Sequence, residues 1–117
     1  MATFLAFWVI VMSYRFMRVL VFFDLPTLTA QDKRAYRAFR KALVKSGFIM
    51  LQESVYCRML ITPNAEKAVV AQIKANKPPS GIVQVLTVTE KQFANMEYLV
   101  GSFKSEVVDS DKRMIVL

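Results

Sequence analysis

The residue with the clearest chemical potential is Asp24, an acid that ends the apolar run at residues 18–24. The run is rich in valine and phenylalanine and does not alternate with polar residues, which predicts an interior strand covered on both faces. Ligands commonly bind at strand ends in α/β sheets. A carboxylate there suits Mg²⁺, which prefers oxygen ligands and keeps several waters. Asp24 is therefore a candidate metal ligand and catalytic residue, and the alternative is a turn residue ahead of Pro26.

A single acid cannot build a two-metal site, because several ligands are needed to hold two ions about 4 Å apart. Two copies of Asp24 that met across the axis of a symmetric dimer would supply the second carboxylate. The chain has no histidine and one cysteine, Cys57. This composition excludes a Ser-His-Asp triad, a Cys/His zinc site and a disulfide within the chain. A lone cysteine fits a reducing compartment, most simply the cytoplasm.

A basic segment is the second candidate for chemistry. The net charge of +7 favours polyanionic partners, and residues 31–45 hold six Lys and Arg against one acid, Asp32, which leaves +5. Four of these cations recur at every fourth residue, so they would offer a phosphate backbone a row of donors. The alternative is an ordinary solvated helix face. The candidate nucleic-acid contacts are Arg18, Lys33, Arg34, Arg37, Arg40, Lys41 and Lys45.

The elements that must position these residues follow the order β-α-β-β-α-β. Strands are predicted over residues 18–24, over 48–60 with a break at Glu53-Ser54, and over 82–89. One helix starts at Thr29, with Asp32 in the capping-box position, and ends at Gly47. A second helix starts at 62–64, and a short helix or turn follows the last strand, over about 90–99. The predicted core-facing helix residues are Tyr36, Phe39, Leu43, Ala65, Val69 and Ile73.

This order predicts an α+β, ferredoxin-like fold. Residues 113–117 form a further β-prone piece, an extra C-terminal strand with no obvious place in a four-stranded sheet. Such a strand would pair with a partner subunit in a homodimer.

The N-terminal residues 1–11 form an apolar extension, and residues 12–117 form the single predicted domain. The extension is about half of the ~20 apolar residues that a membrane helix needs, and the arginines at 15 and 18 make a longer span costly. No membrane association is therefore expected. The favoured interpretation is a natural start at Met12. A membrane-surface anchor and an apolar contact with a partner are the alternatives.

Five motifs occur together in one order, at residues 21–27 (VFFDLPT), 36–41 (YRAFRK), 47–48 (GF), 52–56 (QESVY) and 86–93 (LTVTEKQF). Together they closely resemble the smaller of the two CRISPR spacer-acquisition proteins, in the version from type II systems. The resemblance covers about residues 12–117, and the family pattern lacks residues 1–12.

The resemblance implies a ferredoxin-like homodimer in which Asp24 binds a divalent metal near the dimer axis. Members of the family are often labelled metal-dependent endoribonucleases, and some are reported to cut double-stranded DNA. In spacer acquisition the dimer is better described as a scaffold, which bridges two dimers of the larger integrase subunit and supports the incoming duplex. The first hypothesis is therefore a DNA-binding scaffold, and the second is a stand-alone Mg²⁺-dependent endonuclease acting on RNA or DNA.

Overall fold

The computed structural model describes residues 16–62 and 64–102. These residues form four strands and three helices in the predicted order. The elements are β1 (Met17–Asp24), α1 (Ala30–Lys45), β2 (Ile49–Gln52), β3 (Val55–Leu60), α2 (Ala65–Ala75), β4 (Ile82–Thr89) and α3 (Glu90–Ala94).

The strands form one antiparallel sheet in the order β2-β3-β1-β4. This is the arrangement of a split βαβ fold, so the α+β, ferredoxin-like prediction is confirmed for the described residues. β1 lies inside the sheet, with Leu20 opposite Cys57 on β3 and opposite Leu86 on β4. The predicted C-terminal strand at 113–117 and the N-terminal extension at 1–11 lie outside the described residues. The homodimer stays a prediction.

Helices α1 and α2 pack on one face of the sheet and close the core there. Val19, Val21 and Phe23 alternate along β1 and are buried toward the helices, as the two-residue period of a strand requires. The Phe23 ring lies 5.3 Å from the Phe39 ring and 5.7 Å from the Tyr56 ring, centroid to centroid. The predicted core-facing helix residues all belong to this cluster, either buried or partly buried against it: Tyr36, Phe39, Leu43, Ala65, Val69 and Ile73.

The opposite side of the sheet, which we call the open face, carries the other set of alternating residues. On β1 these are Arg18, Leu20, Phe22 and Asp24. The prediction that β1 is covered on both faces is only partly right. Leu20 is buried, but Phe22 is half-buried and Asp24 is exposed, because the short helix α3 and the residues after it cover only part of this side. The open face further includes Ile49, Leu51, Val55, Cys57, Met59, Ile82, Gln84, Leu86 and Val88, assigned from the strand register.

The ends of α1 are fixed as the sequence predicts. The Thr29 hydroxyl accepts a hydrogen bond from the Asp32 backbone N–H at 3.0 Å, and the Asp32 carboxylate accepts one from the Thr29 N–H at 3.1 Å. Gly47 follows the helix at φ +90°, the left-handed conformation that glycine adopts without strain. Arg58 of β3 donates to the Ser46 carbonyl at 2.7 Å, which satisfies an otherwise unpaired helix-end acceptor. α1 is thus held rigidly against the sheet.

Within residues 16–62 and 64–102, no helix has the length and apolar character that crossing a membrane requires.

Candidate nucleic-acid interface

Asp24 is the last residue of β1, and its side chain is exposed at the edge of the open face. It pairs with Ile82, the first residue of β4. A shallow depression surrounds it on the surface. The depression is lined by Phe22, Phe23, Asp24, Ser54, Val55, Ile82 and Gln84. The carboxylate is therefore accessible to a ligand, as the strand-end argument predicts.

Two backbone features that the sequence analysis missed build this depression. Gly81 has φ +96°, and a Cβ there would lie 2.7 Å from the Asp24 carbonyl oxygen. Ser54, in the turn between β2 and β3, has φ +66°, an uncommon conformation for a residue other than glycine. Its carbonyl accepts a hydrogen bond from the Phe23 N–H at 3.1 Å. The loop Pro78–Gly81 and the polar pair at 53–54 were the available signals.

The described residues contain no group of three or more His, Cys, Asp or Glu side chains that could together hold a metal ion. Asp24 is therefore the one candidate carboxylate that each chain brings to this depression. The donor chemistry still fits Mg²⁺, because that ion is often held through one or two carboxylates with water completing its shell. A second carboxylate would have to come from a second copy of the chain.

The six cations of α1 are all exposed. At 3.6 residues per turn they fall within an arc of roughly 140°, on the side of the helix away from buried Phe39 and Leu43. Within the part of the chain that the structure describes, none of the six forms an ion pair. The stripe consists of Lys33, Arg34, Arg37, Arg40, Lys41 and Lys45, and we call it the basic stripe.

The basic stripe and Asp24 lie on opposite sides of the sheet. Phe23 packs beneath α1, with its ring 5.9 Å from that of Tyr36, and the next residue along the strand, Asp24, points to the open face. The structure brings the six helix cations together and leaves the carboxylate apart from them. One surface can therefore bind phosphates while the other contacts a partner.

Arg18, the seventh predicted contact, has a different environment. Its guanidinium donates to both oxygens of the Glu90 carboxylate, at 2.8 and 3.0 Å, and lies 4.3 Å from the centre of the Phe93 ring. Burial by itself would lower the pKa of Arg18, but hydrogen bonds to Glu90 and Cys57 and the charge of Glu90 raise that pKa above its ordinary value. Arg18 stays charged, with its donors directed at Glu90.

Cys57 shows no sign of nucleophilic chemistry. Its side chain is fully buried, and burial raises the pKa of its thiol, although the hydrogen bond and charge of Arg18 act in the opposite direction. A thiol that resists ionisation is a poor nucleophile at neutral pH. It is a packing residue beneath Arg18, whose Nη1 lies 3.6 Å from the sulfur.

Comparison with known proteins decides the family. The sequence model described as "CRISPR associated protein Cas2" matches residues 17–96, from the first strand to just beyond α3. The chain belongs to the Cas2 family. This confirms the resemblance that the ordered motifs predicted, and the family membership assigns the chain to CRISPR adaptation.

The similar Cas2 proteins cover most of the chain. A protein from Treponema denticola named "CRISPR-associated endoribonuclease Cas2" is 50% identical over 86% of this chain and 100% of its own. A protein of the same name from Streptococcus mutans is 48% identical over 86% of this chain and 93% of its own. A solved structure described as "Crystal structure of cas2" aligns with a TM-score of 0.48 and 20% identity, over 77% of this chain and 92% of its own.

Proposed function

We propose that this Cas2 protein is a homodimeric, double-stranded-DNA-binding scaffold of the spacer-integration complex, acting in the cytoplasm with the larger CRISPR integrase subunit. The single observation that carries the proposal is the basic stripe of α1. Six cations on one side of a rigid, capped helix, with no described acid paired to them, provide a site for a polyanion.

The dimensions of the basic stripe fit duplex DNA. From Lys33 to Lys45 the helix rises about 18 Å, which equals roughly five base-pair steps at 3.4 Å each. Exposed Lys and Arg side chains over that length can contact several successive phosphates. Contacts of this kind position a duplex without reading its sequence, which is what a scaffold for varied incoming fragments requires.

The open face supports the homodimer. An antiparallel sheet normally presents polar residues on a solvated side, whereas here Leu86, Ile82 and Ile49 are each half-exposed or more, at 51%, 58% and 50%. A contiguous exposed apolar surface indicates an interaction site. A second copy placed on this face would cover it and leave the basic stripes of both protomers outward. A two-fold axis near Asp24 would also bring the two carboxylates together.

Reversing two charges in the basic stripe tests the proposal. We expect Arg37→Glu/Lys41→Glu to lower the affinity for a 30-base-pair duplex about tenfold or more, because each lost phosphate contact removes about 0.9 from the salt-dependence slope. Fluorescence anisotropy at several salt concentrations measures both quantities.

The matched control is Lys67→Glu/Lys74→Glu, which makes the same change of charge on α2, where the cations are fewer. We expect this control to weaken binding much less and to leave the slope nearly unchanged. Equal losses in the two variants would show that net charge, rather than the basic stripe, binds the duplex.

A stand-alone endonuclease is the second candidate function, because Asp24 is exposed and the similar proteins are named endoribonucleases. In that function Asp24 and its dimer mate would hold a divalent cation, which supplies charge stabilisation and an activated water to phosphodiester hydrolysis when bound. The protein's own contribution is to keep the two carboxylates fixed at the strand ends. This alternative requires that Asp24→Ala abolish both nucleic-acid cleavage and spacer acquisition.

A further inference from the structure

Three side chains join the first strand to the last described helix. Arg18 of β1 forms two hydrogen bonds with Glu90 of α3, and the ring of Phe93, one turn further along α3, lies against the guanidinium. The side chains of Arg18 and Glu90 are only 17% and 27% exposed. A paired, two-point contact of this kind is among the stronger ones that side chains form, and the ring adds a cation–π contact.

The backbone fixes α3 at the same place. The Glu90 N–H donates to the Phe16 carbonyl at 3.0 Å, which ties the start of the helix to the residue before β1. Thr89 and Gln92 form a capping box, in which the Thr89 hydroxyl accepts from the Gln92 N–H at 3.0 Å and the Gln92 side chain accepts from the Thr89 N–H at 2.9 Å. A helix of five residues has little stability of its own. Its position therefore depends on these contacts.

The residues after α3, at 95–102, run beyond it, and we call them the arm. Met96 and Tyr98 of the arm line an apolar depression together with Leu20 and Phe22 of the open face. The next two residues have no such cover, since Leu99 is 88% exposed and Val100 is 93% exposed. The arm therefore lies against the sheet at its start and presents an apolar pair to solvent further on.

We propose that Arg18 is a positioning residue for assembly: with Glu90 and Phe93 it forms a clasp that holds α3 on the open face and directs the arm, so that Leu99 and Val100 meet a second copy of the chain. This inference rests on the proposed homodimer and adds to it the contact that sets the direction of the arm. The second copy is the favoured occupant because the exposed pair continues the apolar open face that the dimer would cover.

The clasp accounts for the choice of arginine. A lysine has a single ammonium group, so it cannot bind both carboxylate oxygens in a fork while lying flat on an aromatic ring. The Glu90 carboxylate also already occupies the guanidinium donors that a phosphate would need. Arg18 therefore acts within the protein, whereas the cations of the basic stripe act on the ligand.

Cys57 provides a built-in reporter for the clasp. It is the only cysteine of the chain, it is fully buried, and the Arg18 guanidinium lies over its sulfur at 3.6 Å. Opening the clasp would expose this thiol. The rate of alkylation by iodoacetamide in the full-length protein therefore measures the clasp directly, without any nucleic acid.

The test compares Glu90→Gln and Arg18→Lys with the control Glu53→Gln, which neutralises an exposed acid in the β2–β3 turn. We expect both clasp variants to raise the alkylation rate and the dimer dissociation constant about tenfold or more, and the control to change neither. Denaturant titration confirms that the variants remain folded. A series of protein concentrations separates thiol protection by a second copy, which depends on concentration, from protection by the clasp, which does not.

Three results would overturn the inference. Unchanged alkylation in folded clasp variants would show that Arg18 and Glu90 do not hold α3. An unchanged dissociation constant together with weaker duplex binding by Arg18→Lys would assign Arg18 to phosphate contact instead. A wild-type protein that stays monomeric would refute the proposed dimer and the role of the arm in it, whereas the alkylation rates would still decide whether the clasp exists.

Discussion

At the scale of single residues, the position of Asp24 depends on a glycine in another segment. Gly81 precedes β4 and has φ +96°, and the space that a Cβ would fill there is occupied by the Asp24 carbonyl oxygen and the Leu25 side chain, at 2.7 and 2.8 Å. Only a residue without a side chain allows this close approach. The strand end that presents the carboxylate is therefore built by two segments far apart in the sequence.

Gly81→Ala should lower the free energy of unfolding by about 1–3 kcal/mol, because it combines a strained backbone with a steric clash. Gly101→Ala is the matched control, since Gly101 has a similar φ of +81° but nothing within 4 Å of its missing Cβ. Urea denaturation of the two variants measures the difference. Equal losses would show that backbone conformation alone matters, and that the contact with Asp24 does not.

The sequence predicted the residues whose roles are local. The cap at Thr29 and the helix end at Gly47 depend on neighbours within a few positions, so their residue types are enough to identify them. The pairing of Arg18 with Glu90 joins residues 72 positions apart, and no local pattern contains that information. Arg18 could therefore be predicted as a cation near a strand but not as part of a clasp.

At the scale of elements, the sheet divides the surface of the molecule into two functional sides. The basic stripe of α1 lies outward from the helix side, and the exposed apolar residues of β4 lie on the open face. A duplex bound to the first surface does not compete with a second copy bound to the other. This separation is what a scaffold that holds DNA and a partner at once needs.

Leu86→Lys, in the middle of β4, should weaken dimerisation about tenfold or more, because an unpaired charge is costly to bury in an apolar interface. Leu28→Lys is the control, since Leu28 is 90% exposed in the loop before α1, outside the open face. Sedimentation velocity measures the dissociation constants. If both variants dimerise like the wild type, the open face is not the interface.

The order of the elements was predictable, and the covering of the sheet was not. The hydrophobic runs and turn residues predicted four strands and two helices that the structure confirms, with β4 at residues 82–89 as expected. The apolar run of β1 predicted burial on both faces. Its apolar residues on the open face are only partly covered by α3 and the arm, so they belong to a surface that one chain leaves open. A single sequence does not distinguish burial in a core from burial in an interface.

At the scale of the whole molecule, the proposed scaffold assigns different weights to the two sites. The basic stripe supplies the phosphate contacts, while Asp24 lies at the edge of the proposed interface and supplies at most one carboxylate per chain. The apolar open face and the clasped arm would join two copies. Spacer acquisition should then depend on duplex binding and assembly more than on the strand-end acid.

The most direct test is a spacer-acquisition assay in cells that also express the larger integrase subunit. It compares the wild type with Asp24→Ala and with Arg37→Glu/Lys41→Glu, using Lys67→Glu/Lys74→Glu as the charge-matched control. We predict that Asp24→Ala and the control acquire spacers close to the wild-type level, while the basic-stripe variant loses acquisition. Loss of acquisition by a folded, dimeric Asp24→Ala protein, with the basic-stripe variant still active, would contradict the scaffold and favour the nuclease.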